Sequence, residues 1–172
     1  MHRTIARIAI VALLAGGSTA FAQSIVPGQT RMRVGMTMLT IGPAVDGYVP
    51  IEAFRGMARI SGSVEAEALL RWVDSSSALV DSQRGVALSA VTYEYEDGSK
   101  KIEYKSPFLS LGRSVRMMID RIDRDGDSRF GLYAVDESRE HHRIYIIMTR
   151  SDVETLLNAM RDAASGGLAT AK

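Results

Sequence analysis

Arg143–Ala164 (RIYIIMTRSDVETLLNAMRDAA) restricts the fold more than any other stretch of the chain. Its first six residues alternate as a strand. Ile144, Ile146 and Met148 share one face, and Tyr145 and Ile147 share the other. The remainder has helical spacing. Ser151 followed by Glu154 reads as a capping box, and Val153, Leu156, Leu157 and Met160 form one apolar stripe that must lie against something. Gly166 and Gly167 are expected to end the helix and leave 166–172 as a frayed tail. A buried strand running directly into an amphipathic helix calls for a sheet with a helix on one face.

The N-terminus reads as a targeting segment. His2, Arg3 and Arg7 give a basic start, Ile8–Leu14 is a short apolar core, and Ala20-Phe21-Ala22 fits a small-residue cleavage pattern. Cleavage is expected between Ala22 and Gln23, with 1–22 as a signal peptide and 23–165 as one globular domain. The apolar run is far below the ~20 residues that span a bilayer, and no second one follows, so no integral membrane segment is expected after processing. Loss of Arg3 and Arg7 takes the formal charge from +1 to −1. Such a balance gives no reason to expect a polyanion partner.

The chain has no cysteine. An exported domain without disulfides must be held by its core alone. Thiol catalysis, thiolate metal sites and a lipid-bearing cysteine are excluded as well, which points to a periplasmic or secreted protein.

Thr30–Ile41 reads as one strand, with Met32, Val34, Met36 and Met38 on one face as adaptable core. Pro43, Asp46, Gly47 and Pro50 mark a loop. Ile51–Ile60 could form a short helix. Val64–Val73 fits helix or strand equally, and Trp72 falls off the stripe of Ala66, Leu69, Leu70 and Val73. Ser75-Ser76-Ser77 reads as a break and Gln83-Arg84-Gly85 as a turn.

From Val86 onward the pattern is an antiparallel meander. Val91–Glu96 and Lys101–Lys105 both alternate. A turn centred on Gly98-Ser99 would pair Glu96 with Lys101, Tyr95 with Ile102 and Tyr93 with Tyr104, with rings on one face and charges on the other. Ser106-Pro107 ends the second strand. Val115, Met117 and Ile119 then point inward, as do Phe130, Leu132 and Ala134 after the turn at Asp123–Ser128.

Candidate sites are sparse. Asp123, Asp125 and Asp127, with Asp120 nearby, have the carboxylate density that a hard cation requires. The EF-hand pattern nevertheless fails: counting from Asp123, Ser128 stands where glycine is needed and Ala134 where a bidentate glutamate is needed. Solvated turn chemistry at Asp125-Gly126 is the competing reading. His141 and His142 are adjacent, so on a strand they would face opposite ways. No nucleophile elbow, H-E-x-x-H, phosphate loop or G-x-G-x-x-G occurs. Glu65/Glu67 and Glu94/Glu96 read as solvated faces, not as paired catalytic acids. Tyr93, Tyr95 and Tyr104 with Lys100, Lys101 and Lys105 could form a nucleic-acid surface, but the proposed register separates rings from charges. No catalytic residue and no cofactor is expected.

Arg31-Met32-Arg33-Val34, Tyr48-Val49-Pro50-Ile51, Val64-Glu65-Ala66-Glu67, Asp81-Ser82-Gln83-Arg84-Gly85 and Val86–Ala90 together resemble, in that order, an uncharacterised family of bacterial envelope lipoproteins. The resemblance covers about a third of the chain and implies an envelope location. The chain departs from the pattern in lacking the lipidated cysteine, in inserting Ala68–Val80, and in an unmatched C-terminal half.

The sequence therefore predicts an α+β domain: an antiparallel meander with a C-terminal amphipathic helix packed on one face, preceded by a signal peptide. The expected function is that of a non-catalytic interaction protein whose partner is an envelope protein or a small ligand. The alternative is a small envelope hydrolase or divalent-metal protein using Asp123, Asp125, Asp127 and His141.

Overall fold

The computed structural model describes residues 22–23, 27–81, 89–139 and 142–170. It contains two antiparallel sheets and two helices, the mixed class that the sequence predicts, with two sheets in place of one. The first sheet is a plain meander of β1 (Ala22–Gln23), β2 (Thr30–Val34), β3 (Thr37–Ile41), β4 (Tyr48–Arg55) and β5 (Ala58–Glu65). Helix α1 (Ala66–Val80) follows. The second sheet contains β6 (Ser89–Glu94), β7 (Lys100–Lys105), β8 (Leu109–Ser110), β9 (Val115–Arg124), β10 (Asp127–Asp136) and β11 (Arg143–Met148). Their spatial order is β11-β10-β9-β7-β6, and β8 also pairs with β9. Helix α2 (Arg150–Thr170) comes last and packs on α1.

Two N-terminal expectations are overturned. Thr30–Ile41 is a hairpin, not one strand: Val34 pairs with Thr37 across a Gly35-Met36 turn. Gly35 takes φ +58°, which glycine adopts at no steric cost. The turn shifts the alternation by one, so Met32, Val34, Thr37, Leu39 and Ile41 are buried, whereas Met36 and Met38 are exposed. Ile51–Ile60 likewise forms no helix. It spans the β4–β5 hairpin, whose turn is Gly56-Met57, and Val49, Ile51, Ala53, Ile60 and Val64 face inward.

The ambiguous stretch Val64–Val73 divides: β5 runs to Glu65, and α1 holds the rest. Trp72 is on the buried stripe with Leu69, Val73, Ser76 and Leu79. The serine run does not break the helix. Ser75 and Ser77 donate their hydroxyls to the carbonyls of Arg71 and Val73 at 2.9 and 2.8 Å, which satisfies them without leaving the helix. The expected Gln83–Gly85 turn and the start of the meander at Val86 lie outside the described residues.

The C-terminal half follows its pattern closely. Met117, Ile119, Phe130, Leu132, Ala134, Ile144, Ile146 and Met148 cover the inner face of the second sheet, opposed by Val153, Leu156, Leu157 and Met160 of α2. The cap of α2 sits two residues earlier than Ser151. The Thr149 N–H donates to Asp152 Oδ2 at 2.9 Å, and the Asp152 N–H donates to Thr149 Oγ1 at 3.1 Å, a reciprocal box. Glu154 instead pairs with Arg150, one turn away, at 3.0 Å. Gly166 and Gly167 do not end the helix, which continues to Thr170.

The two sheets are strapped together at Gly62. The Ser63 N–H of edge strand β5 donates to the Leu111 carbonyl at 3.1 Å, which occupies part of an edge that would otherwise stay unpaired. Gly62 lies beneath that carbonyl, where any Cβ would overlap it. Among the described residues no helix is long and apolar enough to cross a membrane.

Candidate functional site

The outer face of the second sheet carries the densest polar chemistry, and its layout depends on one hairpin register. Asp97 Oδ1 accepts both the N–H and the hydroxyl of Ser99, at 2.9 and 2.7 Å. The Tyr95 N–H donates to the Ser99 carbonyl at 3.0 Å, and Gly98 takes φ +80°. Tyr95 and Ser99 therefore flank a three-residue loop, Glu96-Asp97-Gly98, with glycine at its left-handed position. The pairs that follow are Glu94 with Lys100, Tyr93 with Lys101 and Ala90 with Tyr104.

This overturns the expected register and its separation of rings from charges. Tyr93, Tyr95, Lys101 and Lys105 share the outer face, while Tyr104 and Lys100 take the other. The Lys101 ammonium lies 5.1 Å from the centre of the Tyr93 ring, and the Arg124 guanidinium 5.3 Å from that of Tyr95. The facial argument against a nucleic-acid surface falls with that register.

Moving inward across the sheet, Glu103 accepts Lys101 at 2.7 Å and Lys105 at 3.5 Å. The hydrogen bond and charge of Lys101 hold the Glu103 carboxyl below its ordinary range, and the same partner raises the Lys101 ammonium. Beyond them lies Asp120, a carboxylate that is only 8% exposed. The Tyr145 hydroxyl reaches its two oxygens at 3.2 and 3.4 Å. Gly131 makes this possible, because a Cβ there would meet Asp120 Oδ1 and the ring end of Tyr145. Tyr145 thus crosses the bare glycine backbone to reach the acid.

Burial pushes Asp120 above its ordinary 3.8, and Glu103 adds to the rise, while Tyr145 and Lys105 oppose it. Burial and the Asp120 charge push the Tyr145 phenol up to about 12. The folded state therefore holds the Asp120 proton to higher pH than the unfolded chain, so stability falls as pH climbs from 3.8 through the raised value. Asp120→Asn is expected to match the wild type in acid and to gain on it across that window. Urea denaturation of both proteins at a series of pH values checks this, and a constant difference would refute it. Tyr145→Phe should remove a tyrosine that ionises late in an absorbance titration.

At the end of this face a groove of about 440 Å³ is lined by Tyr95, Lys101, Ile122, Arg124, Asp125, Asp127 and Arg129. Asp125 and Gly126 form its lip as a two-residue turn, both at positive φ, joining β9 to β10. That is the hairpin chemistry expected of Asp-Gly. Of the three proposed cation ligands, Asp125 and Asp127 line this groove together and Asp123 does not. Asp123 points to the opposite face, where Arg121 clamps it with two bonds of 2.7 Å and Ser128 donates to it. Asp125 is paired with Arg124 at 3.3 Å, and Asp127 lines the groove. Among the described residues no group of three or more His, Asp or Glu side chains could hold a metal ion.

His141 lies outside the described residues. His142 precedes β11, and its carbonyl accepts the Asp136 N–H at 2.9 Å. Ala22 and Gln23, the expected cleavage pair, lie opposite Met32 and Arg31 in the first sheet. Sequence reading missed Asp120–Tyr145 as a pair. The one available signal was an apolar alternation carrying an acid at Asp120 and a glycine at Gly131.

No protein-family model matches the chain, and no curated protein matches it significantly.

Proposed function

We propose that the protein is an exported, non-catalytic binding module that uses the outer groove of its second sheet to hold an anionic ligand with a flat face. The carrying observation is the groove itself. Tyr95 and Ile122 offer ring and apolar surface; Lys101 and Arg124 are paired with Glu103 and Asp125, Asp127 adds a second carboxylate to the lining, and Arg129 is a cation with no ion-pair partner among the described residues. An unpaired arginine beside an exposed ring can hold a carboxylate in two bonds while the ring takes the face of a sugar or aromatic group. The polar groups around Asp120 neutralise one another, and among the described residues no hydroxyl nucleophile with a histidine base stands with them, which favours binding over turnover. Export is supported by the basic, apolar and small-residue order of 1–22.

Titration with an oligogalacturonate, followed by amide chemical shifts, tests the site. Shifts confined to residues 95–101 and 122–129 are expected, with none for a neutral oligosaccharide. Arg129→Gln should weaken binding by about ten- to a hundredfold, a charge-assisted bidentate pair being worth roughly 1.5–3 kcal/mol. Equal responses to neutral and acidic sugars, or no response to either, would remove the proposal.

A further inference from the structure

The first sheet ends in two turns of the same make. Val34-Gly35-Met36-Thr37 closes β2–β3, and Arg55-Gly56-Met57-Ala58 closes β4–β5. Both turns lie at one end of the sheet, because Met38 of β3 pairs with Phe54 of β4 beside them. Their glycines take φ +58° and +59°, and each turn displays a methionine. Met57 is 99% exposed and Met36 76%. Phe54 and Met38 add 47% and 36% exposure on the outer face just behind the tips. Cations flank them. Arg33 pairs across with Met38, and Arg59 pairs across with Phe54, so Arg33, Met38, Phe54 and Arg59 form one row over four strands. Arg33 turns its Nε toward the Gly35 carbonyl at 3.1 Å, whereas Arg55, next to the second tip, faces the other side of the sheet and donates to the Tyr145 carbonyl at 2.9 Å. Strands β2 to β5 hold only two carboxylates. Glu52 is already paired with Arg59, and Glu65 is at the far end.

We infer that these two hairpin tips dock on an anionic phospholipid surface, with Met36 and Met57 entering the acyl boundary and Arg33 and Arg59 meeting the phosphates. Apolar side chains rimmed by arginine are the chemistry of interfacial binding. A second copy fits poorly, because a two-fold contact would set the arginines against themselves. Four side chains also present on the order of a few hundred Å², short of the roughly 800 Å² per partner of a stable protein pair. A bilayer needs no matching shape, and unbranched methionine adapts to it.

The cysteine-free chain permits a local test. Met57→Cys, Met36→Cys and, as a remote control on α1, Glu67→Cys are each labelled with an environment-sensitive dye in the full-length protein. Phosphatidylcholine vesicles with and without phosphatidylglycerol are then added. The dye at 57 and at 36 is expected to brighten and shift to the blue with the anionic vesicles, less with the neutral ones, and to revert in 1 M salt as expected for screened charges. The dye at 67 should stay unchanged. Arg33→Gln and Arg59→Gln should each lower vesicle affinity by about fivefold at low salt. No change at 57, an equal change at 67, or a response to polyglutamate in place of vesicles would overturn the inference. The last result would assign the tips to an acidic protein partner.

Discussion

Trp72→Ala is expected to cost about 3–5 kcal/mol, the range for emptying a buried aromatic site. Trp72 is 4% exposed on the inner stripe of α1. Its indole N–H donates to the Pro107 carbonyl at 2.7 Å. That carbonyl belongs to the short link between β7 and β8, which is itself held to the sheet: the Ser106 N–H donates to the Ile119 carbonyl at 2.8 Å, and Ser106 Oγ accepts the Ile119 N–H at 2.9 Å. One side chain therefore ties the first helix to the centre of the second sheet. Trp72→Phe keeps most of the volume and loses the indole donor, so it should cost roughly 1–3 kcal/mol. Urea unfolding followed by circular dichroism measures both variants. Equal costs for Ala and Phe would show that the hydrogen bond, and not the ring, dominates. Against a usual total of about 5–15 kcal/mol, the alanine variant would be near its folding limit.

Gly62→Ala should destabilise by about 1–3 kcal/mol, toward the upper end of what overpacking costs. The obstacle is the Leu111 backbone carbonyl, which cannot swing away as a side chain can. Moving it would also loosen the Ser63–Leu111 hydrogen bond. The contrasting substitution is Gly166→Ala. A Cβ there meets nothing within 4 Å, and the position is exposed within α2. Alanine is the better helix former, so a gain of up to about 1 kcal/mol is expected. If thermal melts of the two variants shift in the same direction, the steric account of Gly62 is wrong.

The parts of the fold that could be read from the sequence share a physical cause. Met117/Ile119, Phe130/Leu132/Ala134 and Ile144/Ile146/Met148 each keep an unbroken two-residue period with one face buried, so pattern and structure coincide. The first sheet escapes such a reading because two of its turns are only two residues long and carry methionine. At Gly35-Met36 an apolar side chain fills a turn position and makes two strands look like one. At Gly56-Met57 the same device imitates helical spacing. Trp72 falls off a stripe that runs through Leu70, whereas the helix buries Trp72 beside Leu69 and leaves Leu70 partly exposed.

The candidate site was lost at a single turn. Asp97 is exposed, yet its hold on Ser99 selects the three-residue loop and so decides which face Tyr93 and Tyr95 occupy. Alternation cannot supply that choice where both faces of the hairpin are solvated, as they are from Val91 to Gly98. The Asp120–Tyr145 pair was out of reach for another reason. It joins strands β9 and β11 across Gly131 of β10, and no local spacing encodes a contact between two strands that are not neighbours.

The order of the elements bears on biogenesis. Each sheet is followed by its own helix, and the two helices rest on each other, so α2 is also the lid over apolar surface laid down much earlier in the chain. A nascent chain in which α2 has yet to emerge would leave the apolar faces of α1 and the second sheet without that cover. Tight packing of the two layers could therefore begin only after α2 had been released.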